Sequence, residues 1–173
     1  MTAPTSPADT TLRINRTFNA PREKVFSAWT DPEKLKLWWG AQEGFTTPIA
    51  EIDLRVGGSY RLGMKPPDQN LVFVVGGIYR EVRPPEKLVF TWVWEAPLNS
   101  ETMQPSEESA PPMAAMADTQ ESLVTVEFRE QGSHTEVVLT HQFFPSQEAR
   151  DEHSKGWGGT FDKLALAIQA GEI

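Results

Sequence analysis

The side chains with the widest chemical range in this sequence are its three histidines. His134, His141 and His153 are separated by 7 and 12 residues, and neither spacing matches a zinc-binding motif. Because the chain has no cysteine, thiolate metal sites, disulfides and a cysteine nucleophile are all excluded. His134 falls in the EQGSH turn of a predicted hairpin, where we expect it to be exposed. We therefore expect no bound metal.

The motifs of the chain do not indicate a catalytic serine or a nucleotide site. There is no GxSxG elbow, no serine has an obvious histidine and acid partner, and GWGGTF is neither a P-loop nor a GxGxxG fingerprint. A buried Glu51 or Asp53 would be a candidate acid or base. However, the DLRVGG context favours a structural role, in which Arg55 pairs with a nearby carboxylate. The sequence favours a binding protein over an enzyme, and we expect no cofactor.

Aromatic residues are the most informative set, because six of the 173 residues are tryptophan. In the predicted strand LVFTWVW, Trp92 and Trp94 share one face with two other large apolar residues. We expect this face to meet the terminal helix, together with Tyr60 and Phe73 from other strands. Such a wall is either plain core or the lining of a pocket. The opposite face is also largely apolar, which favours a covered outer surface, with a homodimer as its cover.

His141 and Arg16 are the polar residues on faces that are otherwise apolar. His141 lies in TEVVLTHQFF on the same strand face as Leu139 and Phe143, and Arg16 interrupts the apolar face of TLRINRTF. A histidine in this position is either an interior group satisfied by hydrogen bonds, which we favour, or a ligand contact. Either residue is a candidate for the polar contact that orients a ligand.

The stretch KLKLWWGAQEGF, from Lys34 to Phe45, ends a predicted short helix with two adjacent tryptophans. Neighbours on a helix point about 100° apart, so the two side chains must differ in direction. Trp38 follows Leu35 by three residues, and we expect it to face the concave side of the sheet. We expect Trp39 at the rim, beside the loop 40–45.

Composition and charge limit the class of protein. The length and 39% hydrophobic residues predict one folded domain, over 11–170, after a disordered tail of residues 1–10. A net charge of −8 argues against binding nucleic acid or anionic membranes. No apolar run reaches the roughly 20 residues that span a bilayer. The N-terminus lacks a secretory signal pattern, so the expected location is cytoplasmic.

The apolar periodicity predicts strand, two short helices, about six antiparallel strands and one long helix. The second short helix begins either with Asp31 as its N-cap or with a capping box of Thr30 and Glu33. Trp157 and Phe161 lie on one face of the long helix. Its three glycines indicate a kink, a close backbone contact or open space beside the helix.

The stretch 96–119 breaks the strand pattern and is rich in proline, serine and glutamate. A connection of this length is unusual within a compact domain. We expect either a flexible, solvated insertion, which we favour, or a lid that places Met103, Met113 and Met116 over a pocket.

A single amphipathic helix covers so many strands only if the sheet curves around it, which predicts an α+β fold. The runs FNAPREKVFSAWTDPEKLKLWWG, AEIDLRVGGSYR and GIYREVRPPEKLVFTWVW resemble bacterial relatives of the activator of the ninety-kilodalton heat-shock chaperone ATPase. The resemblance covers roughly Leu12 to Ile168 except for the insertion. It implies the START-like (SRPBCC) superfamily and a helix-grip fold of about 6–7 strands around a C-terminal helix, with an internal cavity. It implies no single activity.

The sequence therefore predicts non-catalytic binding of a small hydrophobic or aromatic ligand in an internal cavity. The residues assigned to the cavity wall are Trp38, Tyr60, Phe73, Trp92, Trp94, His141, Trp157 and Phe161, with Arg16 as the candidate polar contact. Two alternatives remain: a protein-interaction module that contacts a chaperone, as the family activator does, and an enzyme similar to polyketide cyclases or hydratases.

Overall fold

The computed structural model of the protein describes residues 10–40, 44–105 and 121–173. Residues 1–9 of the predicted tail (1–10) and the methionines Met113 and Met116 lie outside these ranges. In chain order, the helices and strands are β1 (Leu12–Phe18), α1 (Arg22–Thr30), α2 (Pro32–Trp38), β2 (Thr46–Ile52), β3 (Ser59–Lys65), β4 (Leu71–Arg83), β5 (Lys87–Trp94), β6 (Leu98–Asn99), β7 (Ser122–Gln131), β8 (His134–Gln142) and α3 (Gln147–Gln169).

The strands form one antiparallel sheet in the order β1-β8-β7-β5-β4-β3-β2, and the two-residue β6 pairs with β4. This curved sheet with α3 across its inner face confirms the predicted α+β helix-grip architecture. The alternation in β5 places its large residues inside: Phe90, Trp92 and Trp94 are buried, while Val89 and Val93 are half-buried on the other face. The sheet and α3 therefore enclose the aromatic residues.

The ladder between β4 and β5 opens near the middle of both strands. Gly76 pairs with Val93 and Tyr79 with Phe90, and the register shifts between Tyr79 and Glu81. Two consecutive glycines in a strand, Gly76 and Gly77, are typical of a bulge or a bend, but Gly77 has a different role. A Cβ atom there would collide with the carbonyl oxygen of Thr91. The missing side chain at Gly77 allows the backbone of Thr91 in β5 to approach β4 closely, and the bulge lies further along β4.

Asp31 starts α2, which settles the two alternatives for its cap. The Asp31 Oδ1 accepts a hydrogen bond from the Glu33 N–H at 2.9 Å, and Pro32 occupies the first helical position. The Thr30 hydroxyl instead donates to the Phe26 carbonyl. A side-chain cap and a proline at the first position define where the chain turns from α1 into α2.

Helix α3 packs on the inner face of the sheet through the stripe that its periodicity predicted. Trp157, Phe161 and Leu164 are buried, and Phe161 contacts Phe18 of β1 edge to face, with ring centroids 5.9 Å apart. The Ser146 hydroxyl caps the helix by accepting from the Ala149 N–H. In the described parts of the chain, no helix has the length and apolar character that a membrane crossing requires.

The first residues of the predicted insertion pair with the sheet. Leu98 and Asn99 pair with Val72 and Leu71 at the start of β4, and Met103 is exposed. The remainder of the insertion, 106–119, lies outside the described residues.

Candidate functional site

Between the sheet and α3 lies a pocket with three of its sides formed by indole rings, which we call the indole pocket. Strands β3 and β5 supply one wall, α3 supplies another, and the residue after α2 supplies a third. The residues that line it are Trp39, Met64, Trp92, Trp94, His153, Gly156, Trp157 and Thr160. The lining is almost entirely apolar, which suits a neutral, hydrophobic ligand.

A second pocket lies on the other side of Trp39, and we call it the tyrosine pocket. Its lining residues are Trp29, Leu35, Trp39, Ile52, Tyr60, Leu62, Tyr79, Leu88 and Phe90. The free volume is about 20 Å³ in the indole pocket and about 10 Å³ in the tyrosine pocket. Here the free volume is the space that the centre of a water molecule can occupy. One water needs about 10–15 Å³ on this measure. Either pocket therefore admits a larger molecule only if its side chains move.

Trp39 is the wall that the two pockets share. Its carbonyl oxygen accepts hydrogen bonds from the Thr47 hydroxyl at 2.7 Å and from the Lys163 ammonium at 3.3 Å. Burial lowers the pKa of Lys163. These contacts fix the backbone of Trp39. Only a rotation of its side chain can therefore change how the space is divided between the two pockets.

The structure places the predicted wall residues in three positions. Trp92, Trp94 and Trp157 line the indole pocket, and Tyr60 lines the tyrosine pocket. The others, which line neither pocket, are Trp38, Phe73, His141 and Phe161. Arg16 lies away from both, ion-paired with Asp162 near the edge of the sheet. A ligand contact by these five residues would require a different arrangement of the core.

Both adjacent tryptophans are buried, and the one expected at the rim is the one that lines the pockets. Trp38 is fully buried behind the pocket, where its indole N–H donates to the Ala28 carbonyl at 2.9 Å. Trp39, expected at the rim, is buried and faces both pockets. Trp39 follows the end of α2 with extended torsions (φ −68°, ψ 135°), so the rotation of about 100° per helical residue does not apply to it.

His141 has hydrogen-bond partners at both ring nitrogens. Nδ1 accepts from the indole N–H of Trp157 at 3.1 Å, and Nε2 lies 2.7 Å from the Ser122 hydroxyl. An indole N–H can only donate, so the proton of the neutral imidazole is on Nε2 and is donated to Ser122. Burial, and to a smaller degree the neighbouring His153, lower the pKa of His141 well below its usual value.

Ser122 and His141 are as close as a nucleophile and its general base, but Nε2 of His141 already carries a proton and cannot accept the one from Ser122. A general base must accept the hydroxyl proton through an unprotonated nitrogen. Here Nε2 is the donor, and the Ser122 hydroxyl in turn lies 3.3 Å from the carbonyl oxygen of Trp92, to which it donates. The group behind His141 is an indole rather than a carboxylate. The pair is suited to holding the wall of the pocket rather than to acyl transfer.

His153 repeats the arrangement on α3. Its Nδ1–H donates to the Ala149 carbonyl at 2.8 Å, and its Nε2 accepts from the Trp94 indole N–H at 2.9 Å. Burial lowers the pKa of His153 despite the opposing effects of the Ala149 carbonyl and of Glu152. The His141 and His153 rings are 5.4 Å apart. Two neutral imidazoles therefore fix the rings of two tryptophans that line the pocket.

Phe144, rather than Phe143, covers the histidine pair. Phe143 was expected on the inner face with His141, but it has φ 71° and its side chain is 60% exposed. The left-handed torsion breaks the strand alternation and turns Phe144 inward, where its ring lies 4.2 Å from His141 and 4.7 Å from His153. The ring shields both imidazoles from solvent.

Arg55 and Tyr60 each have a structural hydrogen-bond partner. Arg55 pairs with Asp53 at 2.9 Å beside the turn, as the sequence indicated. The Tyr60 hydroxyl donates to the Thr91 carbonyl at 2.6 Å, and burial raises the pKa of both Tyr60 and Tyr79. Within the described ranges, no three histidine, aspartate or glutamate side chains are grouped so that they could hold a metal ion.

The outer face of the sheet carries an open, charged depression, which we call the outer groove. Arg61 crosses it and pairs with Glu95 at 2.9 Å. Ile78, Val93 and Glu51 also line it. It lies on the opposite side of the sheet from the indole pocket and has no aromatic wall apart from Tyr60.

Sequence reasoning missed five residues of the indole pocket: Trp39, Met64, His153, Gly156 and Thr160. A signal existed for two of them. His153 falls on the apolar face of α3, and Gly156 is one of the glycines that indicated open space beside the helix. The Thr160 hydroxyl lies 2.7 Å from the Gly40 carbonyl, a contact between distant parts of the chain that no local pattern predicts.

A family model described as Activator of Hsp90 ATPase homolog 1-like protein matches residues 19–169. An AHSA1 protein from Silicibacter pomeroyi has a similar structure, with a TM-score of 0.71 and 25% identity over 93% of this chain and 99% of its own. A protein from Chromobacterium violaceum has a TM-score of 0.71 and 23% identity over 92% and 96%. One from Nitrosomonas europaea has a TM-score of 0.69 and 22% identity over 98% and 99%. No protein with a curated description matches the sequence.

Proposed function

Because this chain belongs to the Activator of Hsp90 ATPase homolog 1-like family and has an aromatic pocket between its sheet and α3, we propose that it binds a small apolar or aromatic molecule in the indole pocket. The observation that carries the proposal is Gly156. A glycine within a helix is destabilising by up to about 1 kcal/mol relative to alanine, and here it lies against the pocket. A larger residue would fill the space that a ligand would occupy.

Admission of the ligand requires two side chains of the wall to move. Met64 is the flexible one, because its unbranched chain adapts to irregular partners. Trp39 is the other, because a rotation of its ring toward the tyrosine pocket adds volume to the indole pocket. Binding then comes mainly from apolar burial, at about 25 cal/mol per Å² before the costs of association.

Thermal unfolding with a panel of small aromatic compounds tests the proposal. A ligand at 100 times its Kd stabilises a protein by about 2.7 kcal/mol, which in a chain of this size raises Tm by about 5–11 °C. We expect shifts in this range together with a change in tryptophan fluorescence. An unchanged Tm with every compound would contradict the proposal.

Two glycines of α3 provide a matched pair of variants. Gly156→Leu places a side chain at the pocket and is expected to abolish the ligand-induced shift. Gly158→Leu is the control, because no atom lies within 4 Å of a Cβ built there. Both changes have a similar effect on helix propensity, so only loss of the pocket separates them. Equal ligand shifts in the two variants would place the ligand elsewhere.

An enzymatic role of the cyclase or hydratase type has less support. It needs a titratable group at the pocket, and His153 is the one in its lining. Both of its nitrogens are already hydrogen-bonded, and burial favours its neutral form.

The chaperone contact stays a prediction, with a pull-down and an ATPase assay on the cell's own chaperone as its test. The homodimer and the cytoplasmic location also stay predictions.

A further inference from the structure

One residue that lines the indole pocket, Trp92, carries a buried hydrogen-bond donor without a partner. In the part of the chain that the structure describes, three buried side-chain nitrogens lack one: Arg22 Nε, Trp29 Nε1 and Trp92 Nε1. Of these residues, Trp92 lines the indole pocket, and only 4% of it is exposed. Most buried polar groups are hydrogen-bonded, so each exception needs an explanation.

The reason is a mismatch between donors and acceptors around the pocket. Trp92, Trp94 and Trp157 each bring an indole N–H, whereas His141 and His153 each have a single free acceptor nitrogen. Trp157 takes the acceptor of His141 and Trp94 takes that of His153. Trp92 packs against both imidazoles, with ring centroids 5.2 and 6.2 Å away, but finds both acceptors occupied.

The remaining polar side chain in the pocket lining, that of Thr160, forms no hydrogen bond with the Trp92 indole either. The Thr160 hydroxyl is directed to the carbonyls of Gly40 and Gly156, at 2.7 and 2.8 Å. Thr160 therefore donates its proton away from the indoles.

We propose that the ligand of the indole pocket is a compact aromatic or alicyclic molecule with one neutral hydrogen-bond acceptor, such as a ketone, ester or ether oxygen, which accepts the Trp92 N–H. The inference rests on the proposed function, since it concerns the same pocket. An acceptor is required because an indole N–H can only donate. A neutral group is required because no cation lines the pocket, and a buried carboxylate without one is strongly disfavoured.

Acetophenone and ethylbenzene test the inference, because they have similar size and differ in the carbonyl oxygen. Satisfying a buried donor is expected to make acetophenone bind about tenfold more tightly than ethylbenzene, measured by calorimetry. In ¹H–¹⁵N spectra of the wild-type protein, the Trp92 indole proton is expected to shift downfield with acetophenone and not with ethylbenzene. The titration uses the wild-type protein, and a substitution is needed only to assign the Trp92 signal.

Trp92→Phe removes the donor and keeps an aromatic ring, so it is expected to bind both compounds with similar affinity. Trp29→Phe is the matched control: it removes the other unpartnered indole, which lines the tyrosine pocket, and is expected to keep the tenfold preference. Equal affinities in the wild type, with an unmoved Trp92 signal, would overturn the inference and leave apolar binding in place. Absence of binding by both compounds to the wild type would overturn the proposed function and this inference with it.

Discussion

Acidification is expected to destabilise the fold through the buried histidine pair. His141 and His153 each accept a hydrogen bond from an indole N–H, and a protonated ring would turn that acceptor into a donor facing a donor. Burial lowers the pKa of both in the folded state. In the unfolded chain, each titrates near its ordinary value of about 6.5.

The sign and size of the pH effect on stability follow from this difference in pKa between the folded and the unfolded state. Below pH 6.5 the unfolded state binds more protons than the folded state, so the free energy of unfolding falls as the pH falls toward the folded pKa. Each histidine contributes up to about 1.4 kcal/mol per pH unit in this window. From pH 7.5 to 5.5, the pair is expected to lower the free energy of unfolding by at most about 2–3 kcal/mol, and above pH 7 its contribution is constant.

Urea denaturation at a series of pH values, followed by tryptophan fluorescence, measures this effect. His141→Asn removes the titrating ring and keeps an acceptor close to the position of Nδ1 for Trp157, so it is expected to lose about half of the pH dependence. His134→Asn is the control, because it removes an exposed histidine that has no indole partner. A wild-type free energy of unfolding that stays constant from pH 7.5 to 5.5 would refute the reasoning. So would an unchanged pH dependence in His141→Asn.

Three further outcomes follow from the contacts around the pocket. Trp39→Ala and Trp38→Ala are each expected to lower the free energy of unfolding by about 3–5 kcal/mol in urea denaturation. Only Trp39→Ala joins the two pockets, so only this variant is expected to bind small aromatic compounds more tightly in calorimetry. Ser122 is expected to resist labelling by a fluorophosphonate in mass spectrometry, and labelling would contradict the donor role assigned to His141 Nε2. Asp31→Ala removes the N-cap of α2 and is expected to lower the free energy of unfolding by about 1 kcal/mol. A loss of comparable size in Thr30→Val would favour the capping box instead.

The elements were predictable because each has a strong local period. The period of two in β5 fixed which residues face inward, and the stripe of Trp157 and Phe161 fixed the buried face of α3. Together they required a curved sheet around one helix. The predicted wall tryptophans of those two elements, Trp92, Trp94 and Trp157, consequently line the pocket.

The rest of the site depends on backbone torsions and on contacts between distant residues. Trp39 was misplaced because the chain leaves the helical conformation one residue earlier than the pattern suggests. Phe143 and Phe144 were exchanged for a similar reason, a left-handed torsion at Phe143. The bond between Trp94 and His153 joins residues 59 positions apart, and no spacing rule encodes it.

Intermolecular nuclear Overhauser effects between labelled protein and unlabelled acetophenone test the central claim most directly. If the ligand occupies the indole pocket, its protons will show contacts to the methyl groups of Met64 and Thr160. Contacts to Ile78 and Val93 of the outer groove, with none to Met64 and Thr160, would contradict the account.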